Sequence, residues 1–142
     1  MANVVELRGM SDDKLEEMLD NAREEMFNLR FQVASARLED YSRLKHVRRE
    51  IAQLETVLHM RQLAKETAAA EPAIAQALAN TEWRATARFD YEDSAWHVVF
   101  ADEDGRELAT ALVNLNTKRL RGRKERQTRK PLRVVTSYEI AG

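Results

Sequence analysis

The chain has no cysteine. That excludes a disulfide framework and a thiolate metal site. Proline and glycine are scarce, at two and four residues, and none falls between Met10 and Glu71. So long a stretch without a breaker is free to be helical throughout. No apolar run approaches the length of a membrane span. The N-terminus lacks a signal-peptide pattern, and Met1-Ala2-Asn3 reads as an ordinary cytoplasmic start. Glycine-rich phosphate loops, nucleophile elbows and HExxH spacing are also missing. His46, His59 and His97 stand alone, and Asp102-Glu103-Asp104-Gly105 lacks the twelve-residue ligand pattern of a calcium loop. No acid, base and nucleophile can be assembled, so neither an enzyme nor a metal or cofactor site is expected. Neither sign of charge dominates: 23 basic residues oppose 24 acidic ones.

What is present is helical period. Ser11 followed by Asp12 and Asp13 reads as a helix start, with a hydroxyl for an orphan N–H and two acids at the positive end of the helix dipole. Leu15, Met18, Leu19, Ala22, Met26, Leu29 and Val33 then recur at three- and four-residue spacing, giving an apolar face to about Ala36. Phe27 and Phe31 form a second stripe beside it. Leu44, Val47, Ile51, Leu54 and Leu58 repeat the period in a second helix. Two such helices bury their stripes most simply as an antiparallel hairpin. The turn is expected near Ser35 to Ser42, although Ala36 and Arg37 do not demand one. A single bent or nearly continuous helix is the competing geometry.

Lys45, Arg48 and Arg49, with Arg30, Arg37 and Arg43, can gather near the bend. Arginine suits bidentate contact with phosphate, and an ordinary solvated face is the alternative.

Residues 4 to 62 resemble a bacterial large-subunit ribosomal protein family, the one numbered twenty-nine. The likeness is carried by Glu6-Leu7-Arg8, Met10-Ser11, Leu15, Leu19, Phe27-Asn28-Leu29-Arg30-Phe31-Gln32, Ala34, Leu38-Glu39, Leu44, Val47-Arg48-Arg49, Ile51-Ala52 and Thr56-Val57-Leu58. The resemblance implies a small helical protein bound to large-subunit rRNA near the rim of the polypeptide exit tunnel. It implies a neighbour, the ribosomal protein numbered twenty-three, and a surface where nascent-chain factors dock. Carried onto this sequence, Arg30, Gln32, Lys45, Arg48 and Arg49 are the rRNA-facing positions, acting by phosphate neutralisation and recognition of RNA shape. Three departures stand out. Ala36 replaces a customary glycine, Gln53 and Glu55 replace customary basic residues, and members are generally short and strongly basic.

The second half reads differently. Residues 66–80 contain Ala68-Ala69-Ala70, Glu71-Pro72 and a possible short alanine-rich helix after Pro72, and are read as a linker. From Thr81 the period becomes two. Trp83, Ala85, Ala87 and Phe89 suggest one strand, Trp96 to Ala101 a second, and Glu107 to Leu115 a third. Leu132, Val134, Thr136, Tyr138 and Ile140 suggest a fourth. A small antiparallel sheet is expected over 81–142, covered by the alanine-rich helix. Residues 66–117 hold ten acids against Arg84, Arg88 and Arg106. Residues 118–133 hold Lys118, Arg119, Arg121, Arg123, Lys124, Arg126, Arg129, Lys130 and Arg133 against Glu125 alone. This basic loop, 118–131, reads as an arm among phosphates, with a solvated loop as the alternative.

The expectation is therefore an α+β chain: a helical hairpin over 1–65, a linker, and a β-rich extension that anchors on rRNA and displays an acidic sheet outward. Its expected role is a structural constituent of the large ribosomal subunit, supporting translation in the cytoplasm. The competing function is a helical-hairpin adaptor for protein partners.

Overall fold

The computed structural model describes residues 3–115 and 134–141. These form two compact units, residues 1–59 and 60–142. The order is α1 (Val4–Gly9), α2 (Asp12–Ala34), α3 (Ser42–Ala69), α4 (Pro72–Leu78), β1 (Arg84–Asp90), β2 (Ala95–Ala101), β3 (Glu107–Asn114) and β4 (Val134–Ile140).

In the first unit α1 is a short helix that the periodicity had not indicated. Asn3 starts it with a reciprocal capping box: its side chain accepts from the Glu6 N–H, and the Glu6 carboxylate accepts from the Asn3 N–H. Ser11 caps α2 as expected, accepting from the Lys14 N–H at 3.3 Å. Leu7, Leu15, Leu19, Ala22, Met26 and Leu29 are buried together with Val47, Leu54 and Val57. Met18, Leu44, Ile51 and Leu58 pack around them. Val33, the last residue of the expected stripe, is exposed.

The chain reverses between Ala34 and Ser42, which rules out the continuous helix. The Arg37 N–H bonds the Gln32 carbonyl at 2.9 Å, and the Ala36 N–H bonds the Val33 carbonyl at 3.1 Å. This 6→1 and 5→2 pair is a Schellman motif, which needs a left-handed residue at its centre. Ala36 supplies it, at φ 55°. An L-residue there carries a Cβ penalty that glycine escapes. The turn falls within the expected Ser35 to Ser42 stretch, although the residue at its pivot is not a turn former.

The division between units falls inside α3, not at Lys65. Residues 66–80, expected as a linker, include the end of α3 and all of α4. Their Ala68, Ile74 and Leu78 are buried core residues of the second unit. The segment is packed structure, though the short helix after Pro72 is where it was expected.

The sheet is an antiparallel meander in the order β1-β2-β3-β4. Trp96, Val98 and Phe100 of β2 join Ala109, Ala111 and Val113 of β3 in one core with Ala64, Ala68, Ile74 and Leu78. Phe89 meets Trp96 edge-on, as Trp83 meets Phe100, each pair with ring centroids 5.3 Å apart. β4 departs from simple alternation. Val113 pairs with Val135 while Leu112 pairs with Ser137, leaving Thr136 as the extra residue of a bulge. The Thr136 hydroxyl donates to the Leu112 carbonyl at 3.1 Å. Val135 therefore reaches the core, and Val134 pairs with Asn114 instead.

Replacing Ala36 with glycine is expected to stabilise the first unit. Relief of about 1–2 kcal/mol of left-handed strain outweighs about 0.4–1 kcal/mol of added unfolded-state entropy. Chemical denaturation of the full chain should show a net gain of roughly 0.5–1 kcal/mol; a loss would show that Ala36 is unstrained.

Candidate nucleic-acid interface

Two ion pairs define the flanks of the hairpin. Arg23 Nη2 donates to Glu55 Oε1 at 2.9 Å, and Arg43 Nε donates to Glu25 Oε1 at 2.7 Å. Arg23 pairs at the middle of α3 and Glu25 pairs at its start, so the helices run antiparallel. Arg23 and Glu25 are two residues apart, about 200° around the helix, so the bridges lie on opposite flanks.

This frame places the expected RNA-facing residues. Arg30 stands seven residues after Arg23, and Arg48 seven before Glu55. Seven residues are close to two full turns, so both share the Arg23–Glu55 flank. Gln32 stands seven after Glu25 and falls on the other flank, apart from Arg30. Lys45 and Arg49, four residues apart, share an exposed stripe of α3. The basic set therefore wraps around the turn end of the hairpin. Lys118, Arg119, Arg121, Arg123, Lys124, Arg126, Arg129 and Lys130 lie outside the described residues, as does Leu132.

Pairing separates the cations into two groups. Lys14, Arg23 and Arg43 make ion pairs within the hairpin. Arg30, Arg37, Lys45, Arg48 and Arg49 are exposed and make none among the described residues. The acid at position 55, a departure from the family pattern, serves to neutralise Arg23.

Charge is also segregated along the hairpin. Residues 11–25 carry Asp12, Asp13, Glu16, Glu17, Asp20, Glu24 and Glu25. No acid occurs over 26–38 or over 42–49. Between those stretches lie Glu39 and Asp40 in the turn. The Asp40 carboxylate accepts from the Ser42 hydroxyl at 2.6 Å and from the Ser42 N–H at 2.9 Å. Those bonds, the side-chain one foremost, hold its pKa below the usual aspartate range, with smaller help from His46 and Arg43.

Phe27 and Phe31 do not join the core. They are 69% and 66% exposed on the solvent side of α2. A helical projection of the buried stripe already points them away from the partner helix, so the signal was available once the core positions were chosen.

The family model described as Ribosomal L29 protein matches residues 5–61. The large ribosomal subunit protein uL29 of Natranaerobius thermophilus is 50% identical over 58 residues, which are 41% of this chain and 89% of that one. The uL29 protein of Streptomyces griseus is 48% identical over 62 residues, 44% of this chain and 84% of its own. That of a Mycobacterium species is 53% identical over 58 residues, 41% and 75% of the two chains. The chain belongs to the Ribosomal L29 protein family through its first unit, and residues 62–142 extend beyond the family match.

The Asp40 carboxyl should titrate below an ordinary aspartate in an NMR pH series. A depressed folded pKa means its stabilising contribution is present above the unfolded value and is lost as pH falls through the folded one. Ser42→Ala, which keeps the backbone N–H bond, should move the titration upward; an unmoved pKa would assign the shift to that N–H, His46 and Arg43.

Proposed function

We propose that this chain is a structural, non-enzymatic constituent of the large ribosomal subunit, bound to rRNA through the turn end of its hairpin. Family membership supports the first part. The second rests on one observation: the exposed cations without ion pairs, Arg30, Arg37, Lys45, Arg48 and Arg49, surround an end whose helices carry no acid. An ion-paired arginine has part of its charge already compensated, whereas an unpaired exposed one can displace counterions from RNA at little cost. Cations spread around a convex helix end suit recognition of phosphate position and RNA shape.

The family likeness further suggests a place near the polypeptide exit tunnel. There the neighbour would be the ribosomal protein numbered twenty-three, with nascent-chain factors docking nearby and the whole assembly cytoplasmic. Gln32, on the opposite flank, would take a hydrogen-bonding rather than an electrostatic role. Among the described residues no helix is long and apolar enough to cross a membrane.

The second unit is assigned a separate anchoring role on composition. Lys118, Arg119, Arg121, Arg123, Lys124, Arg126, Arg129 and Lys130 lie in sequence between two adjacent strands of a sheet whose other connections are rich in acid. Such a run favours phosphate, while the acidic turns around Asp93 and Asp104 disfavour it. The extension would thus hold RNA by one connection and turn its acidic sheet away.

Binding of the full chain to large-subunit rRNA should weaken steeply as salt rises. Arg30→Ala with Arg48→Ala should lower the affinity and reduce the slope of log K against log salt by about 1.4–1.8, as expected for two lost phosphate contacts. Deleting residues 118–130 should also weaken binding and flatten the slope. Sedimentation of the chain away from the large subunit, with salt-insensitive binding to a protein instead, would support an adaptor and defeat the proposal.

A further inference from the structure

We infer that Phe27 and Phe31 form a stacking surface for unpaired nucleobases of the RNA that the neighbouring cations hold. The inference rests on the rRNA-binding reading and adds to it an apolar contact that no phosphate-based account includes.

The first observation is exposure. Among the exposed large hydrophobic residues of the described chain, Phe27 and Phe31 are the two most exposed in percentage terms. They lie four residues apart, so their Cβ atoms stand about 5–6 Å from each other on one helix face. Two phenyl rings facing water forgo the free energy that burying their apolar surface would release. Nothing in the first unit recovers it: the hairpin core is complete without them, built from the opposite side of α2.

The second observation is charge. Phe27 follows Arg23 by four residues and precedes Arg30 by three, so the rings border the flank that carries Arg30 and Arg48. From Met26 to Leu38 there is no carboxylate. A protein partner would need acids to match these cations. A single strand of RNA brings its own anionic backbone and a flat apolar ring in the same unit. Stacking on aromatic side chains beside a basic track is how splayed bases are held without sequence reading. Phenylalanine has no hydrogen-bonding group, so its apolar faces gain most from a flat apolar partner. The cations fix the backbone, and the rings hold bases that the RNA fold has left unstacked.

The two contributions respond differently to salt. Phosphate contacts release counterions, while stacking on a neutral ring releases none. The experiment is equilibrium binding of the full chain to transcribed large-subunit rRNA across a salt series. It compares wild type, the Phe27→Ala/Phe31→Ala double variant, and a Phe27→Trp/Phe31→Trp double variant. Both positions are exposed and alanine is the better helix former, so circular dichroism should show the fold intact. The alanine variant is expected to bind at least about tenfold more weakly with an unchanged salt slope. The tryptophan variant should restore or exceed wild-type affinity.

Wild-type-like binding by the alanine variant would overturn the stacking surface while leaving the rRNA reading in place. A flattened salt slope in that variant would also overturn it, by showing that the change acted through the arginines. Loss of large-subunit incorporation with RNA affinity intact would assign the pair to a protein neighbour and refute the inference. Failure of the wild-type chain to bind RNA would remove both readings at once.

Discussion

Burial of one leucine-rich seam against another governs the first unit, and the seams meet only because the chain reverses at Ala36. Leu15, Leu54 and Val47 are almost fully removed from water, and each such side chain contributes about 1.5–3 kcal/mol. The flanking bridges, Arg23–Glu55 and Glu25–Arg43, join partly to largely exposed side chains. Exposed pairs of this kind contribute about 0–1 kcal/mol each. They set register and select which faces become flanks, but they do not supply the stability. The reversal is achieved with a left-handed alanine, so part of the seam's energy offsets local strain.

That register has an electrostatic consequence. Pairing Arg23 and Arg43 with glutamates leaves the remaining strong cations of the hairpin's central stretch at and around the turn. The opposite end of α2 is acidic. A helix of 23 residues spans roughly 35 Å, several times the Debye length of about 8 Å at physiological ionic strength. The acids at the start of α2 therefore do not cancel the field at the turn. A chain with almost no net charge can in this way present a locally basic surface.

The second unit follows the same economy on a different scaffold. Four strands in sequential order bury one face with alanine, valine and aromatic side chains, and α4 lies against β3 with Ile74 and Leu78 fully inside. Alanines at 64, 68, 109 and 111 keep both layers of this small core low in profile. Charge is again divided by position: acids occupy the turns around Asp93 and Asp104, and the dense basic run falls in the connection from β3 to β4.

Periodicity alone located the two long helices, the four strands and most of the hairpin's buried seam, from Leu15 to Leu29 and from Val47 to Leu54, because such burial follows directly from a period of 3.6 or two. Particular residues, spaced in order over the first sixty or so, carried the family resemblance. The Ser11 cap and the helix after Pro72 were legible for local reasons. Tertiary structure decided the rest. It placed a left-handed turn on an alanine, where no residue signal exists, and made core from residues 66–80, whose alanines look the same in a tether as in a packed helix. It moved Val135 inward through a bulge at Thr136, because strand register depends on the neighbouring strand. It also sorted Arg30 and Arg48 onto one flank and Gln32 onto the other. A sequence places each on a helix, but only the interhelical contacts of Arg23 and Glu25 say which side of the hairpin that helix face becomes.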